Sequence, residues 1–147
     1  MLFTTPQGVL INTQEKNMRK ETILEENTFL VSETDEKGII KFANSDFCTI
    51  AEYSLNELIG KPHNIVRDKD MPKVAFKSLW DTVQKDEIWT GYVKNATKSG
   101  GFYWVFATVY PFISCDGSKG YLSCRRKASK EEIKQYEKIY AKLLSEE

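Results

Sequence analysis

The alternation of apolar and polar positions divides the chain into strand-like and helix-like segments. The stretches TFLVSET and IIKFA are rich in β-branched and aromatic residues, and three longer strand patterns follow residue 88. Between these groups, apolar residues recur at helical spacing. Turn residues separate the paired strands: Asp35-Glu36-Lys37-Gly38, Ser99-Gly100-Gly101 and Asp116-Gly117. The order predicts an α+β fold, a five-stranded antiparallel sheet with helices gathered on one face.

Capping residues indicate where the predicted helices begin. Asn44 precedes a short run with helical spacing, and Ser54 with Glu57 forms a capping box before the next one. Asp70 stands two positions before Pro72. We therefore expect Asp70 as the N-cap and Pro72 as the first residue of a helix of about three turns.

The two ends of the chain predict flanking helices around a central domain over residues 28–128. Residues 1–27 are predicted to form an irregular arm followed by a helix over 14–27. A terminal helix is predicted over residues 129–147, with one apolar seam: Ile133, Tyr136, Ile139, Tyr140, Leu143 and Leu144. This seam packs on its own sheet, on the first helix, or on another chain, for example in a homodimer through the terminal helices.

Composition excludes several classes of function. The chain has 147 residues, 41% of them hydrophobic, which is enough for one domain with a sizeable core. Lys plus Arg and Asp plus Glu both number 21, and this balance argues against nucleic-acid binding and against a polybasic membrane patch. No apolar run approaches the roughly 18 residues of a membrane span, so we expect no direct membrane insertion.

The reactive side chains predict neither a disulfide framework nor a catalytic centre. Cys48, Cys115 and Cys124 are odd in number and form no CxxC motif, which favours a reducing, cytoplasmic location. A single histidine leaves no zinc-type cluster. Because no nucleophile, base and orienting group are found together, we expect no enzymatic activity.

The stretch KPHNIVRDKDMP is too polar for a core. It contains one His, one Arg, two Asp and two Lys between helical patterns, and it is either a mobile loop or a lid that binds an anionic ligand. Arg67 is the main candidate, because a guanidinium presents a fixed fork of donors to phosphate or carbonyl oxygens. The alternative for Arg67 is a surface salt bridge to Asp68 or Asp70.

Further candidate ligand contacts are amide and aromatic side chains. Asn95 lies in the middle of a predicted strand, where Asn is depleted, and alternation places it on the face of Gly91. The amides of Asn95 and Asn44 suit the donor and acceptor edge of a ring, although Asn44 is equally explained as a helix cap. Trp80 and Trp89 are either stacking partners of a ring or core residues, and Gly91 would allow a ring to approach its strand.

Longer strings resemble a known family. Five strands interrupted after the second by short helices is the order of PAS domains. The strings FANSDFCTIAEYSLNELIGKPHNIVRDKDMP and WTGYVKNATKSGGFYWVFATVYPF resemble the PAS module of bacterial aerotaxis receptors, over roughly residues 28 to 142. The resemblance implies a PAS fold that binds FAD and reports redox state to a chemotaxis module for energy taxis. It also implies a membrane-bound chemoreceptor-like partner.

The resemblance assigns Arg67 and Asp70 to the flavin-binding string, with one departure from it. The family's usual string is close to R-H-P-D-M-P, and here Asp68 and Lys69 replace its histidine and first proline. The family histidine contributes to flavin binding. We therefore expect Asp68 to repel the pyrophosphate unless Lys69 offsets it, and an Asp68→His variant to bind FAD more tightly.

Two alternatives stay open beside the flavin sensor. One is a cofactor-free PAS interaction module, and the other is a haem-binding PAS sensor with His63 as the ligand. The cysteines lack the asparagine-cysteine-arginine string of light-sensing LOV domains, which argues against cysteine-adduct photochemistry. No output module is found within the 147 residues, so we expect the output in another chain or beyond Glu147.

Overall fold

A five-stranded antiparallel sheet forms the centre of the molecule, in a computed structural model that describes residues 19–147. The strands are β1 (Leu30–Asp35), β2 (Ile40–Ala43), β3 (Trp89–Ala96), β4 (Phe102–Ile113) and β5 (Lys119–Arg126). The helices are α1 (Ser45–Ala51), α2 (Leu55–Leu58), α3 (Lys73–Val83) and α4 (Lys130–Ser145), with a 3-10 helix at His63–Val66. The strand order β2-β1-β5-β4-β3 confirms the predicted α+β sheet.

Most helix starts follow the predicted caps, but the start of α3 does not. The Asn44 side chain accepts from the Phe47 N–H at 3.0 Å, and Ser54 with Glu57 forms a complete capping box. The prediction that Asp70 caps α3 is wrong, because Lys94 holds its carboxylate at 2.8 Å. Pro72 is likewise not the first helical residue: it is the N-cap, with an extended ψ of 148°.

The chain over residues 19–27 is extended or turned, so the predicted helix is wrong there. Thr22 N–H donates to the Phe102 carbonyl at 2.9 Å, and Phe102 N–H donates to the Lys20 carbonyl at 2.9 Å. These bonds attach the segment to the start of β4, and they override a weak helical propensity. The rest of the predicted helix, residues 14–18, and the arm over 1–13 lie outside the described residues.

Alternation in the strands gives the sheet two faces with different coverings. The short helices pack on the inner face, where Tyr103 and Val105 of β4 are fully buried. Helix α4 packs on the outer face: the Tyr140 ring stacks on Trp104 with centroids 6.2 Å apart, and its hydroxyl donates to the Tyr92 carbonyl at 2.6 Å.

Four residues of the predicted seam therefore pack on the domain's own sheet and core, the first of the three predicted alternatives: Ile133, Tyr136, Tyr140 and Leu143. Ile139 of the same seam is exposed. A homodimer through the terminal helices stays a prediction. Over the described residues 19–147, no helix combines the length and the apolar character that crossing a membrane requires.

Candidate ligand-binding site

A cavity of about 290 Å³ lies between the inner face of the sheet and the segment from the 3-10 helix to α3. Its apolar walls come from α3 and from the central strands: Phe76, Leu79, Val93, Ala107 and Val109. Exposed residues Lys37 and Asn64 stand at its margin. The volume is at the lower end of small-molecule sites, about 300 Å³, so the cavity suits a planar ring with the rest of the ligand outside.

Three of the eight predicted site residues, Arg67, Trp80 and Asn95, meet at this cavity. Arg67 forms an isolated antiparallel bridge with Asn95, which brings the polar loop to the free edge of β3. Within the described part of the chain Arg67 has no ion pair, and its guanidinium lies 4.1 Å from the centre of the Phe76 ring. The salt-bridge alternative for Arg67 is therefore not what the structure shows.

The Trp80 indole forms part of the cavity wall because a glycine leaves space for it. Gly38 has a φ of +84°, and a Cβ built there would lie 3.1 Å from the indole. The same ring packs edge-on against Tyr121, with centroids 5.4 Å apart. The hairpin glycine thus has two roles, a left-handed turn and close approach of an aromatic side chain.

The other predicted aromatic, Trp89, and its neighbour Gly91 lie outside the cavity lining. Trp89 is buried and its Nε1 donates to the Ser78 hydroxyl at 3.2 Å. A Cβ at Gly91 would lie only 2.5 Å from the Trp89 ring. Gly91 therefore accommodates a neighbouring side chain, and Trp89 takes the core alternative that the sequence left open.

Asn44 also lies outside the lining, and both ends of its amide bond to the backbone. Its oxygen accepts from the backbone N–H groups of Val31 and Phe47 at 3.1 Å and 3.0 Å. Its nitrogen donates to the Phe29 carbonyl at 3.0 Å. The helix-cap alternative explains this residue.

The two aspartates of the loop face away from the cavity. The Asp68 side chain is completely buried, and its carboxylate pairs with Arg19 and accepts from the Asp70 N–H at 2.9 Å. A hydrogen bond from Lys94 lowers the pKa of Asp70. Since Asp68 is neutralised on the far side of the loop, the expected repulsion of a ligand pyrophosphate, and the tighter binding expected for Asp68→His, have no basis in this geometry.

The sequence did not identify the most unusual residue of the cavity, the buried Arg125 of β5. Its Nη1 donates to the Ser32 hydroxyl at 3.2 Å, and its Nη2 lies 3.1 Å from His63 Nε2. Among the described residues no carboxylate pairs with it. Burial lowers the pKa of Arg125 to about 10. The available signal was alternation, which places Arg125 on the same face as Ser123.

His63 is neutral and acts as an acceptor in this arrangement. Because arginine only donates, His63 Nε2 must accept, and its ring proton is on Nδ1. Burial, followed by the repulsion from Arg125, lowers the pKa of His63 to about 3. The Ser32 hydroxyl lies 3.0 Å from the same Nε2. This nitrogen is engaged, so the geometry does not favour His63 as a haem ligand.

Two buried polar atoms on the cavity wall have no partner in the described chain, Asn95 Nδ2 and Ser123 Oγ. The hydroxyl of Tyr103, opposite Asn95 in β4, is also unpaired. Burial raises the pKa of Tyr103 to about 12, and the nearby charge of Arg125 acts in the opposite direction. An unpaired buried polar group is costly, and a ligand with polar edges in the cavity would satisfy the two atoms on its wall, Asn95 Nδ2 and Ser123 Oγ.

Comparisons with known proteins agree with the fold and with the predicted family. The model of the PAS fold matches residues 40–124. The aerotaxis receptor of Escherichia coli (strain K12) is 43% identical over 125 residues, which are 85% of this chain and 25% of that protein. The nitrogen fixation regulatory protein of Klebsiella pneumoniae is 28% identical over 109 residues, 74% of this chain and 22% of that protein.

A solved light-oxygen-voltage domain, from work on a flavin analogue, superimposes with a TM-score of 0.63 at 21% identity. The match covers 76% of this chain and 84% of that one. The chain spans about a quarter of the length of the aerotaxis receptor and somewhat less of the nitrogen fixation regulator.

Members of the matched family are signalling sensors rather than enzymes, as the sequence led us to expect. The strand order, the position of the cavity between sheet and helices, and the matched residues all lead to one assignment. The chain belongs to the PAS-fold family, and it is a PAS sensor domain related to the aerotaxis receptor and to the nitrogen fixation regulatory protein.

Proposed function

We propose that this domain is a cytoplasmic redox or oxygen-response sensor that holds FAD in the cavity and signals to a membrane-bound chemoreceptor-like partner in energy taxis. The observation that carries the proposal is the pair of unpaired buried atoms, Asn95 Nδ2 and Ser123 Oγ, on the wall of a ring-sized cavity. Similarity to an aerotaxis receptor supports the signalling role. The fold shared with a domain studied with a flavin analogue supports the choice of cofactor.

The residues at the cavity fit an isoalloxazine ring. Trp80 and Phe76 provide aromatic walls, and the Asn95 amide can donate to a ring carbonyl. Arg67 is partly exposed beside Phe76, where its guanidinium can reach a phosphate outside the enclosed volume. A bound flavin would supply the electron chemistry, while these side chains bind it, orient it and exclude water.

The contacts of Asn95 provide a route for a signal. The backbone of Asn95 forms a β-bridge with Arg67. The residue after Arg67, Asp68, forms an ion pair with Arg19 in the segment before β1. A change in the hydrogen bonds of the Asn95 amide would therefore act on the attachment of that segment. Such a change becomes a signal when the domain has two arrangements within a few kcal/mol of each other.

The absorption spectrum of the purified protein tests the cofactor. We expect the bands of oxidised protein-bound flavin at roughly 370 and 450 nm. A folded, colourless protein that takes up no added FAD would leave the cofactor-free interaction module as the function. A Soret band would instead indicate haem.

Substitution of Arg67 tests the site. Arg67→Ala should lose most of the bound flavin, because the proposed contact of the guanidinium with a phosphate is removed. The variant should keep the circular dichroism of the wild type, because the guanidinium pairs with no carboxylate in the described chain. The matched control is Lys77→Ala, which removes an exposed cation of α3 away from the cavity and should keep full flavin stoichiometry. Equal stoichiometry in both variants would show that Arg67 makes no ligand contact.

A further inference from the structure

We propose that Arg125, held by Ser32 and His63, makes the sheet-side wall of the cavity selective for negative charge, so that the cavity binds the reduced, anionic state of the ring more tightly than the oxidised, neutral state. This inference rests on the proposed flavin site. We refer to Ser32, His63 and Arg125 as the inner arginine cluster.

The first step is the absence of a counter-ion. Every described contact of the Arg125 guanidinium is to a neutral group: the Ser32 hydroxyl, His63 Nε2 and the face of Phe47, whose ring centre lies 5.5 Å away. No carboxylate pairs with Arg125 in residues 19–147. A buried charge normally acquires a counter-ion because its desolvation is costly, so a cation left without one beside a cavity indicates an anionic ligand.

The second step is that the cluster holds Arg125 in one position without neutralising it. His63 accepts as a neutral ring, since an imidazolium could not accept from a guanidinium. The Ser32 hydroxyl accepts from Arg125 and can donate to His63 Nε2, so the one lone pair of that nitrogen is shared between Ser32 and Arg125. The positive charge therefore remains available to the cavity, which Arg125 and His63 both line.

The third step concerns the chemistry of the ligand. Two-electron reduction of a neutral flavin with uptake of one proton leaves one negative charge on the ring. A guanidinium in a poorly solvated site stabilises that charge far more than it stabilises a neutral ring. Lys37 is exposed and Arg67 partly so, and their charges are screened more strongly than that of Arg125.

The test is a reductive titration of flavin-loaded protein against a reference dye, with dithionite as the reductant. Arg125→Met should weaken binding of the reduced state about tenfold relative to the oxidised state, which lowers the midpoint potential of a two-electron couple by about 30 mV. Arg125→Lys keeps a positive charge and should retain most of the wild-type potential. If the Met variant does not fold, Arg125→Gln serves in its place with the same expected shift.

The adjacent arginine provides a matched control. Arg126 is exposed on the outer face, with its guanidinium 4.6 Å from the centre of the Phe106 ring, so Arg126→Met should leave the potential unchanged. A wild-type protein that takes up no flavin overturns the proposed function and this inference with it. Flavin uptake together with an unchanged potential in the uncharged Arg125 variant overturns this inference alone.

The unliganded protein gives an independent readout. Removal of an uncompensated buried cation should leave the melting temperature of apo Arg125→Met equal to or above that of the wild type. Ser32 and His63 keep their mutual contact at 3.0 Å, so the substitution leaves neither without a partner. A melting temperature well below the wild-type value, with an unchanged potential, would make Arg125 a purely structural residue.

Discussion

Two charged clusters of this domain differ in whether the buried charge has an oppositely charged partner. In the outer charge cluster, at the edge of β3, Arg19 pairs with Asp68, and Lys94 lies 2.8 Å from Asp70. In the inner arginine cluster, at the cavity, Arg125 contacts only neutral groups within the described chain. Removing one partner of a buried ion pair destabilises the folded state because it leaves an uncompensated charge, whereas a buried cation without a counter-ion already carries that cost and leaves its charge for a ligand.

The contrast gives each cluster a distinct role. The outer charge cluster attaches the segment before β1 to the polar loop through the pair of Arg19 with Asp68. Arg19 also donates to the carbonyl groups of Gly100 and Gly101 at 3.0 Å and 3.1 Å, which attaches the same segment to the turn between β3 and β4. We expect substitutions there to change stability and substitutions at Arg125 to change ligand chemistry. The predictions below separate these two effects.

The largest effect is expected for Asp68→Asn. It would leave Arg19 without its buried carboxylate and should lower the free energy of unfolding by about 2–3 kcal/mol, less than for a fully buried pair because Arg19 is partly exposed. Urea denaturation measures the change. Flavin stoichiometry should stay at the wild-type value, since Asp68 is outside the cavity lining.

A surface pair provides the control for Asp68. Asp81 lies 2.6 Å from Lys77 on the exposed side of α3, and Asp81→Asn should change the free energy of unfolding by less than about 0.5 kcal/mol. Lost flavin with unchanged stability in Asp68→Asn would return Asp68 to the ligand site and remove the contrast between the clusters.

A smaller effect is expected from the pH dependence of His63. Its pKa of about 3 in the folded protein lies below the ordinary value of 6.5, so the unfolded chain takes up a proton that the folded chain does not. The stabilising contribution is complete above about pH 6.5 and is lost as the pH falls toward 3. From pH 7 to pH 5 the loss from this residue should be about 1–2 kcal/mol.

Comparison with His63→Gln isolates that contribution. The carboxylates titrate in both proteins, while the glutamine oxygen can still accept from Arg125. Urea denaturation at pH 7 and pH 5 should therefore show a smaller loss of stability in the variant. The same pH dependence in both proteins would mean that His63 protonates freely, and that the cluster does not require a neutral acceptor.

Apart from the Asp81→Asn control, the smallest effect is expected for Lys94→Met. Lys94 lies 3.9 Å from Asp68, and its bonded partner Asp70 is half-exposed, so its removal should lower the free energy of unfolding by less than about 1 kcal/mol. A double-mutant cycle with Asp68→Asn measures how strongly the two residues couple. A loss as large as that of Asp68→Asn would identify Lys94, rather than Arg19, as the main partner of the buried carboxylate.

Local interactions allowed the sequence alone to predict much of the fold. The caps at Asn44 and Ser54 and the turn at Gly38 depend on residues within a few positions of each other, and all three form as expected. Alternation along β3 also identified Asn95 as a polar residue on the cavity side. Each of these features is readable because its partners are close in sequence.

Long-range contacts decided what the sequence could not. The helix predicted over residues 14–27 does not form at residues 19–27, because the start of β4, about 80 positions away, supplies backbone hydrogen-bond partners. Helix propensity describes local preferences and contains no information about such distant partners. Gly91 was assigned to a ligand, and only the folded strand shows that the Trp89 ring fills its space. Asp68 was expected to repel a ligand because it stands at the position of the family histidine, whereas in the folded domain its carboxylate pairs with Arg19.

The adjacent arginines of β5 show most clearly which features follow from local sequence and which depend on long-range contacts. Alternation, which is a local property of a strand, places Arg125 and Arg126 on opposite faces of the sheet. Whether the inward arginine meets a carboxylate depends on residues from β1 and the 3-10 helix, Ser32 and His63, which are 93 and 62 positions away. The sequence therefore determined that one arginine points inward, while the tertiary structure decided that its neighbours are neutral and that its charge faces the cavity.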